Sequence, residues 1–286
     1  MAEMKETRKT DVSVVLCGQA GQGIKSVESL LTRLLKMAGS NVFSTKEYMS
    51  RIRGGMNSTQ IRVSPEKVLS PIDRIDILVA LDKGALDHLR SRISDKTIII
   101  GEESICEDED KDKYNFYTVD FTGIAKDIGS KIYSNTVAAG VVCGLLGMEF
   151  DKNGKEVLGG FFGKKSEDII DKNNQAFEKG FEQAKSIAEN TQVPEIVEMR
   201  AESKNEILVN GAQAVGMGAI AGGCNMVFSY PMSPSTAVLT FLSDPGREFG
   251  IIAEQAEDEI AAVNMAIGGW YGGGRPLPAP RSCTAR

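Results

Sequence analysis

Four stretches of this 286-residue chain gather hydroxyls, carboxylates, guanidiniums or glycines at close intervals. In Tyr230-Pro231-Met232-Ser233-Pro234-Ser235-Thr236, two prolines fix the backbone on either side of Ser233. That preorganises its hydroxyl for a polar ligand; a structural strand-to-helix turn is the plain alternative. Glu254, Glu257, Asp258 and Glu259 crowd one expected helix start, and Gly268 follows nine residues after Glu259. Acids there complement the helix dipole, which suffices to explain three of the four. Ser50-Arg51-Ile52-Arg53-Gly54-Gly55 joins a hydroxyl to two guanidinium forks, groups that suit carboxylates. Taken alone it also fits a solvated basic loop. Gly18-Gln19-Ala20-Gly21-Gln22-Gly23 sits where a strand hands over to a helix, a place whose free amides favour an anion.

The elements around these stretches follow from apolar periodicity. Residues 11–17 form a β-branched run that predicts a buried strand. Ile24, Val27, Leu30, Leu31, Leu34 and Leu35 then recur at helical spacing until Gly39. Strand, glycine loop and helix open an α/β layer fold. Residues 59–63, 76–81 and 97–100 predict further strands of the same sheet. Asn135-Thr136 predicts a cap for a buried helix through Leu146, and residues 166–189 form an amphipathic helix. The acidic stretch Glu102 to Lys113 reads as a solvated loop. Periodicity fails over 190–205, which carries a proline, and then restarts. A strand is expected at 207–209, a Gly/Ala-rich helix at 211–222 and a strand at 226–228. Another strand is expected at 251–253, with its helix at 255–267. The expected organisation is therefore a first domain over 11–190, a linker over 191–205 and a second unit over 206–275. Residues 276–286 hold three prolines in five positions and predict an aberrant tail, the mark of a truncated or frameshifted end.

Composition removes several classes. A hydrophobic share of 42% with 25% charged residues is that of a soluble globular protein. A net charge of -6 argues against nucleic acid as a partner. The five cysteines form no CxxC pair, so an iron–sulfur cluster held by this chain alone is excluded, and one histidine makes a His-rich metal site a poor fit. Isolated cysteines read as reduced thiols and hence a cytoplasmic setting. No apolar run is long enough to span a membrane, and Met1 to Thr10 lacks a secretion signal. The glycine loop runs Gly-x-x-Gly-x-Gly, the reverse of the dinucleotide fingerprint. No acid ends the next strand, where Val42-Phe43-Ser44-Thr45 stands. An NAD-dependent reading is thereby weakened, and a tight turn packing beside a neighbouring domain fits better.

In this order, the motifs resemble the fused gamma–alpha subunit of 2-oxoacid:ferredoxin oxidoreductases. Gly18–Gly23 with Glu47-Tyr48-Met49-Ser50-Arg51-Ile52-Arg53-Gly54-Gly55 carries the first half of the likeness. Tyr230–Thr236, Gln255-Ala256-Glu257-Asp258-Glu259 and Tyr271-Gly272-Gly273-Gly274-Arg275 carry the second. The resemblance implies an N-terminal three-layer gamma-type α/β domain, followed by the beginning of a thiamine-diphosphate pyrimidine-binding α/β domain. It also implies a longer alpha domain than the residues before 276 supply. Thiamine enzymes tend to place their catalytic glutamate as Glu259 stands before Gly268, hydrogen-bonded to the aminopyrimidine ring. That contact favours the tautomer that deprotonates the thiazolium carbon. Glu257 is the competitor in register, and Tyr230 and Pro231 are implied cofactor contacts. Ser50 and Ser233 are implied substrate contacts, with Arg53 and Arg51 drawing in the substrate's negative charge. Relatives usually carry Thr where Ser233 stands. The sequence has no Gly-Asp-Gly, so the Mg²⁺-pyrophosphate half and an iron–sulfur cluster are expected on a beta subunit. The implied reaction converts a 2-oxoacid, with 2-oxoglutarate favoured, and coenzyme A to acyl-CoA and CO2, with electrons passing to ferredoxin. A non-catalytic gamma-type assembly module is the alternative.

Overall fold

The computed structural model describes residues 11–19, 21–48, 55–106, 113–148, 152–163, 165–189, 205–233, 235–244 and 246–279. The chain divides into two compact units, Met1–Ile207 and Leu208–Arg286.

The first unit is built on a six-stranded sheet. Its strands are β1 (Val12–Gln19), β2 (Asn41–Glu47), β3 (Met56–Ser64), β4 (Ile77–Ala80), β5 (Ile98–Gly101) and β6 (Asn115–Thr118), in the order β2-β3-β1-β4-β5-β6. β4, β5 and β6 run parallel outward from β1, whereas β3 is antiparallel to both β1 and β2. Residues 12–18 of β1 are all buried, as the unbroken apolar run predicts for a strand covered on both faces. Alternation then splits the core. Val12, Val14 and Leu16 face a thick helical layer; Val15 and Cys17 face a thinner one. The thick layer holds α1 (Ile24–Met37), α3 (Phe121–Ile128), α4 (Ser134–Leu145), α5 (Lys152–Phe162) and α6 (Glu167–Ala188). The thin one holds α2 (Gly84–Leu89). Three layers result. Within the thick layer α4 and α6 cross with almost no side chain between them. A Cβ on Gly140 would lie 2.2 Å from the Phe177 carbonyl oxygen, and one on Gly180 would lie 2.1 Å from that of Val137.

The second unit has a three-stranded parallel sheet, β7 (Met226–Ser229), β8 (Ile252–Gln255) and β9 (Pro276–Pro278), in the order β8-β7-β9. Its helices are α7 (Gly211–Ala221), α8 (Thr236–Ser243), the single turn α9 (Gly246–Phe249) and α10 (Glu259–Tyr271). From β7 the chain steps outward to β8 and then back across β7 to β9. Right-handed crossovers in opposite directions put their helices on opposite faces. Val227 accordingly packs with α8 residues such as Leu242 and Leu239, whereas Phe228 packs with Ala262 and Ala266 of α10.

Three expectations change here. Residues 207–209 are unpaired and largely exposed, not a strand, and Asn210 instead opens α7 through a reciprocal cap with Gln213. The segment expected to be an aberrant tail supplies β9 with its first three residues. Proline is tolerated there because β9 lies at a sheet edge, where only one side of the strand needs N–H donors. The helix expected over 255–267 begins four residues later, because β8 continues to Gln255 and Asp258 caps α10.

Candidate active site

All three strands of the second unit run the same way, so their C-terminal ends share one edge. The strand order reverses direction there, at β7. In open α/β sheets ligands bind outside the carboxyl ends of strands at such a reversal. β7 exits into Tyr230-Pro231-Met232-Ser233. The turn is closed by the Met232 amide donating to the Tyr230 carbonyl at 2.8 Å. The Ser235 hydroxyl and the Thr236 amide both donate to the Met232 carbonyl, at 2.8 and 3.2 Å, leading into α8. Ser233 and Pro231 are exposed on this turn and Tyr230 is half-buried.

β8 exits into Ala256-Glu257-Asp258-Glu259, and the four acids separate by role. Glu254 is an exposed residue within β8, and Glu257 is exposed in the turn. Asp258 is the N-cap of α10: its Oδ1 accepts from the Ala261 amide at 2.7 Å. Glu259 is the first residue of the helix and is half-buried, beside free first-turn amides that favour a carboxylate. The same sheet edge thus presents a hydroxyl turn and a helix-start carboxylate from two neighbouring strands. Ser50, Arg51 and Arg53 lie outside the described residues. Serine 229, fully buried at the end of β7, joins the frame of this edge, although a serine at a strand end has no pattern by which sequence alone selects it.

The first unit has its own recess at the carboxyl ends of its parallel strands. A cleft of about 520 Å³ is lined by Gly21, Gln22, Leu81, Glu102, Lys131 and Asn135 among others. The glycine loop forms one wall. Gln22 folds back so that its Oε1 accepts from the Gln19 amide at 2.7 Å, and Gly23, at φ 82°, starts α1. A Cβ on Gly23 would lie 1.9 Å from Asn135 Nδ2, so the loop packs on the start of α4 within its own unit. The strand order explains the poor fit to a dinucleotide fold: antiparallel β3 lies between β1 and β2, where such a fold sets the two strands side by side. Beneath the loop, burial pushes the Cys17 thiol up to about 12, aided by the negative charges of Glu47 and Asp82. Cys17, Cys106 and Cys143 are buried and in no disulfide, and Cys224 is half-buried.

Residues 13–183 match the family described as pyruvate ferredoxin/flavodoxin oxidoreductase. Residues 217–279 match its thiamine diphosphate-binding domain. Among curated relatives, the alpha subunit of a Sulfolobus 2-oxoacid:ferredoxin oxidoreductase is 23% identical across 94% of this chain and 49% of its own length. The 2-oxoglutarate oxidoreductase subunit KorA of Mycobacterium tuberculosis is 25% identical across 93% of this chain and 46% of its own. Among solved structures, the 2-oxoglutarate:ferredoxin oxidoreductase of Magnetococcus marinus, solved with 2-oxoglutarate, coenzyme A and succinyl-CoA bound, is similar. It superposes with a TM-score of 0.83 at 30% identity, over 94% of this chain and 47% of that one. The chain spans about half the length of the curated relatives it matches.

Proposed function

The chain belongs to the pyruvate ferredoxin/flavodoxin oxidoreductase family, and we propose that it is the gamma–alpha portion of a 2-oxoacid:ferredoxin oxidoreductase working with thiamine diphosphate. The reaction is oxidative decarboxylation. The bond between the carboxylate and the oxo carbon breaks, CO2 leaves, and the acyl group joins the sulfur of coenzyme A. A pair of electrons passes to ferredoxin and the thiol proton is released. The favoured substrate is 2-oxoglutarate, in line with the names of the relatives. A cytoplasmic setting suits buried cysteines in no disulfide, and no helix among the described residues is long and apolar enough to cross a membrane.

One observation carries this reading: the exits of β7 and β8 set the Ser233 turn and Glu259 on the same edge of one sheet. These residues fit the pyrimidine half of the cofactor. Glu259 is a half-buried carboxylate at a helix start, and Phe228 with Ala256, Ala262 and Ala266 forms an apolar cluster beside it. When bound, thiamine diphosphate supplies the carbon nucleophile that attacks the oxo group. Glu259 holds a proton against the aminopyrimidine ring nitrogen, with Tyr230 and Pro231 as further ring contacts and Glu257 as the competing carboxylate. The Ser233 hydroxyl donates to the substrate carboxylate from a turn whose closing hydrogen bonds are already made. Ser50 is a second substrate contact, and Arg53 and Arg51 attract the substrate's charge. We assign the Mg²⁺-pyrophosphate half and an iron–sulfur cluster to a beta subunit, as the family resemblance implies, and this sequence carries no Gly-Asp-Gly and no CxxC pair.

The test is Glu259→Gln in an intact complex, the full-length alpha subunit assembled with that beta subunit. We expect 2-oxoacid-dependent reduction of a viologen dye to fall about 10²–10⁴-fold, the range for loss of a general acid–base group. Undiminished reduction would overturn the thiamine reading. It would leave the alternative, a non-catalytic gamma-type assembly module.

A further inference from the structure

We infer that Ser229 is a positioning residue that clamps the exits of all three strands of the second unit, so that the Ser233 turn and the Glu259 helix hold one spacing. This rests on the thiamine-site reading for its consequence, but the clamp itself is read from geometry. Ser229 is the last residue of β7 and has no exposed surface. A hydroxyl so placed is costly unless it is hydrogen-bonded, and here it has two acceptors. Ser229 Oγ donates to the Ala279 carbonyl at 2.7 Å and lies 3.1 Å from the Tyr230 carbonyl. The Ser229 carbonyl accepts from the Ala256 amide at 3.0 Å. One residue therefore touches the first position after each strand: Tyr230 after β7, Ala256 after β8 and Ala279 after β9.

β9 is a short edge strand, and Pro276 and Pro278 turn their missing N–H positions to the open edge, while the Ala279 amide points inward at β7. The Ala279 amide donates to the Phe228 carbonyl at 3.0 Å, and the Ser229 hydroxyl returns a bond to the Ala279 carbonyl. These two bonds tie β9 to the middle strand at the site edge. From Ser229 the chain reaches Ser233 in four residues, and from Ala256 it reaches Glu259 in three. A shift at Ser229 therefore moves the hydroxyl turn and the carboxylate relative to each other. Valine, which suits a buried strand, would fill the space and leave two carbonyls without this donor.

The experiment compares Ser229→Ala, Ser229→Cys and Ser229→Thr. Cysteine keeps a similar volume with a weak donor; threonine keeps the hydroxyl. By hydrogen exchange on the 286-residue chain, Ser229→Ala should speed exchange of the Ala256 and Ala279 amides by roughly tenfold, as expected for loss of a buried hydrogen bond. Exchange in β1 and β4 should not change. Ser229→Cys should follow in lesser degree, and Ser229→Thr should restore slow exchange. In the complex with the beta subunit, Ser229→Ala should lower kcat for the 2-oxoacid about tenfold and leave the KM for coenzyme A unaltered. Ser229→Thr should recover kcat. Unchanged exchange in both Ser229→Ala and Ser229→Cys overturns the clamp. Faster exchange with unaltered kcat overturns its role in catalysis. Glu259→Gln, assayed alongside, separates the two levels. If it stays fully active the thiamine reading fails while exchange still judges the clamp; if it is inactive and Ser229→Ala is normal, only the Ser229 inference fails.

Discussion

In the first unit, β1, β4 and β5 are buried on both faces, and α1 and α6 above them turn their polar sides outward. In the second, β7 is covered on both faces as well, but α10 on one of them carries apolar residues outward as well as inward. α10 buries Ala262 and Ala266 against the sheet while leaving Ile260 74%, Trp270 67% and Tyr271 81% exposed. α7 does the same with Val215 and Met217. A helix apolar on every side belongs in an interior. The first unit's sequence thus matches its own core, while the second carries apolar surface beyond what its own sheet can cover. The same fold class can be written for a self-contained core or for a shared one, and the outer faces of its helices tell which.

The largest test of this contrast lies where the first unit is tightest. Gly180→Ala puts a methyl 2.1 Å from the Val137 carbonyl oxygen, and the obstacle is backbone, which cannot rotate away. α4 and α6 must separate. We expect a loss of about 3 kcal/mol, the upper end of overpacking costs, against a gain of about 1 kcal/mol in helix propensity. Urea unfolding followed by circular dichroism should show the first transition move to lower denaturant. A variant as stable as the parent would mean that the helix crossing is not the keystone of this unit.

Next in size is an alkaline effect within the same unit. The Cys17 thiol, ordinarily at 9.0, is raised to about 12 by burial and then by Glu47 and Asp82. Between those values the folded chain binds a proton that the unfolded chain has released. Stability from this group therefore falls as pH rises above 9. At pH 10.5 the loss is about 2 kcal/mol relative to pH 8, at about 1.4 kcal/mol per pH unit. Cys143, also pushed up by burial, adds to the slope. Cys17→Ala should flatten the decline in thermal unfolding temperature above pH 9; an unaltered slope would show that water reaches the thiol.

Much of this was legible beforehand, and the misses have physical causes. Strands buried on both faces announce themselves as apolar runs, so β1, β4 and β5 stand out, as do α1 and α6 by their period. The segment 207–209 has strand composition, but composition does not supply a partner, and an Ile-Leu-Val run without one remains an extended lead-in to the Asn210 cap. Pro276–Pro278 was unreadable for the converse reason: proline count argues against a strand, yet an edge position needs few donors, and only the fold reveals which strand is the edge. Among the four acids near 259 the spacing to Gly268 singles out Glu259, and the strand end at Gln255 and the Asp258 cap divide the other three. Ser229 had no signal, since its importance lies in a carbonyl fifty residues away.

The smallest effect sharpens the comparison from the other side. Gly268, the glycine that marks the spacing from Glu259, lies within α10, and a Cβ placed there meets no atom within 4 Å. Nothing inside the second unit therefore requires glycine at this position, in contrast to Gly180. Glycine in a helix interior costs roughly 0.5–1 kcal/mol relative to alanine through backbone entropy. Gly268→Ala should thus stabilise the second unit of the free chain by that amount, read as slower exchange of the α10 amides. Loss of stability in the free chain would show that the open side of α10 is already packed within this polypeptide, and the two units would then be alike. A gain would mean that nothing within this polypeptide packs on the open side of α10 at Gly268.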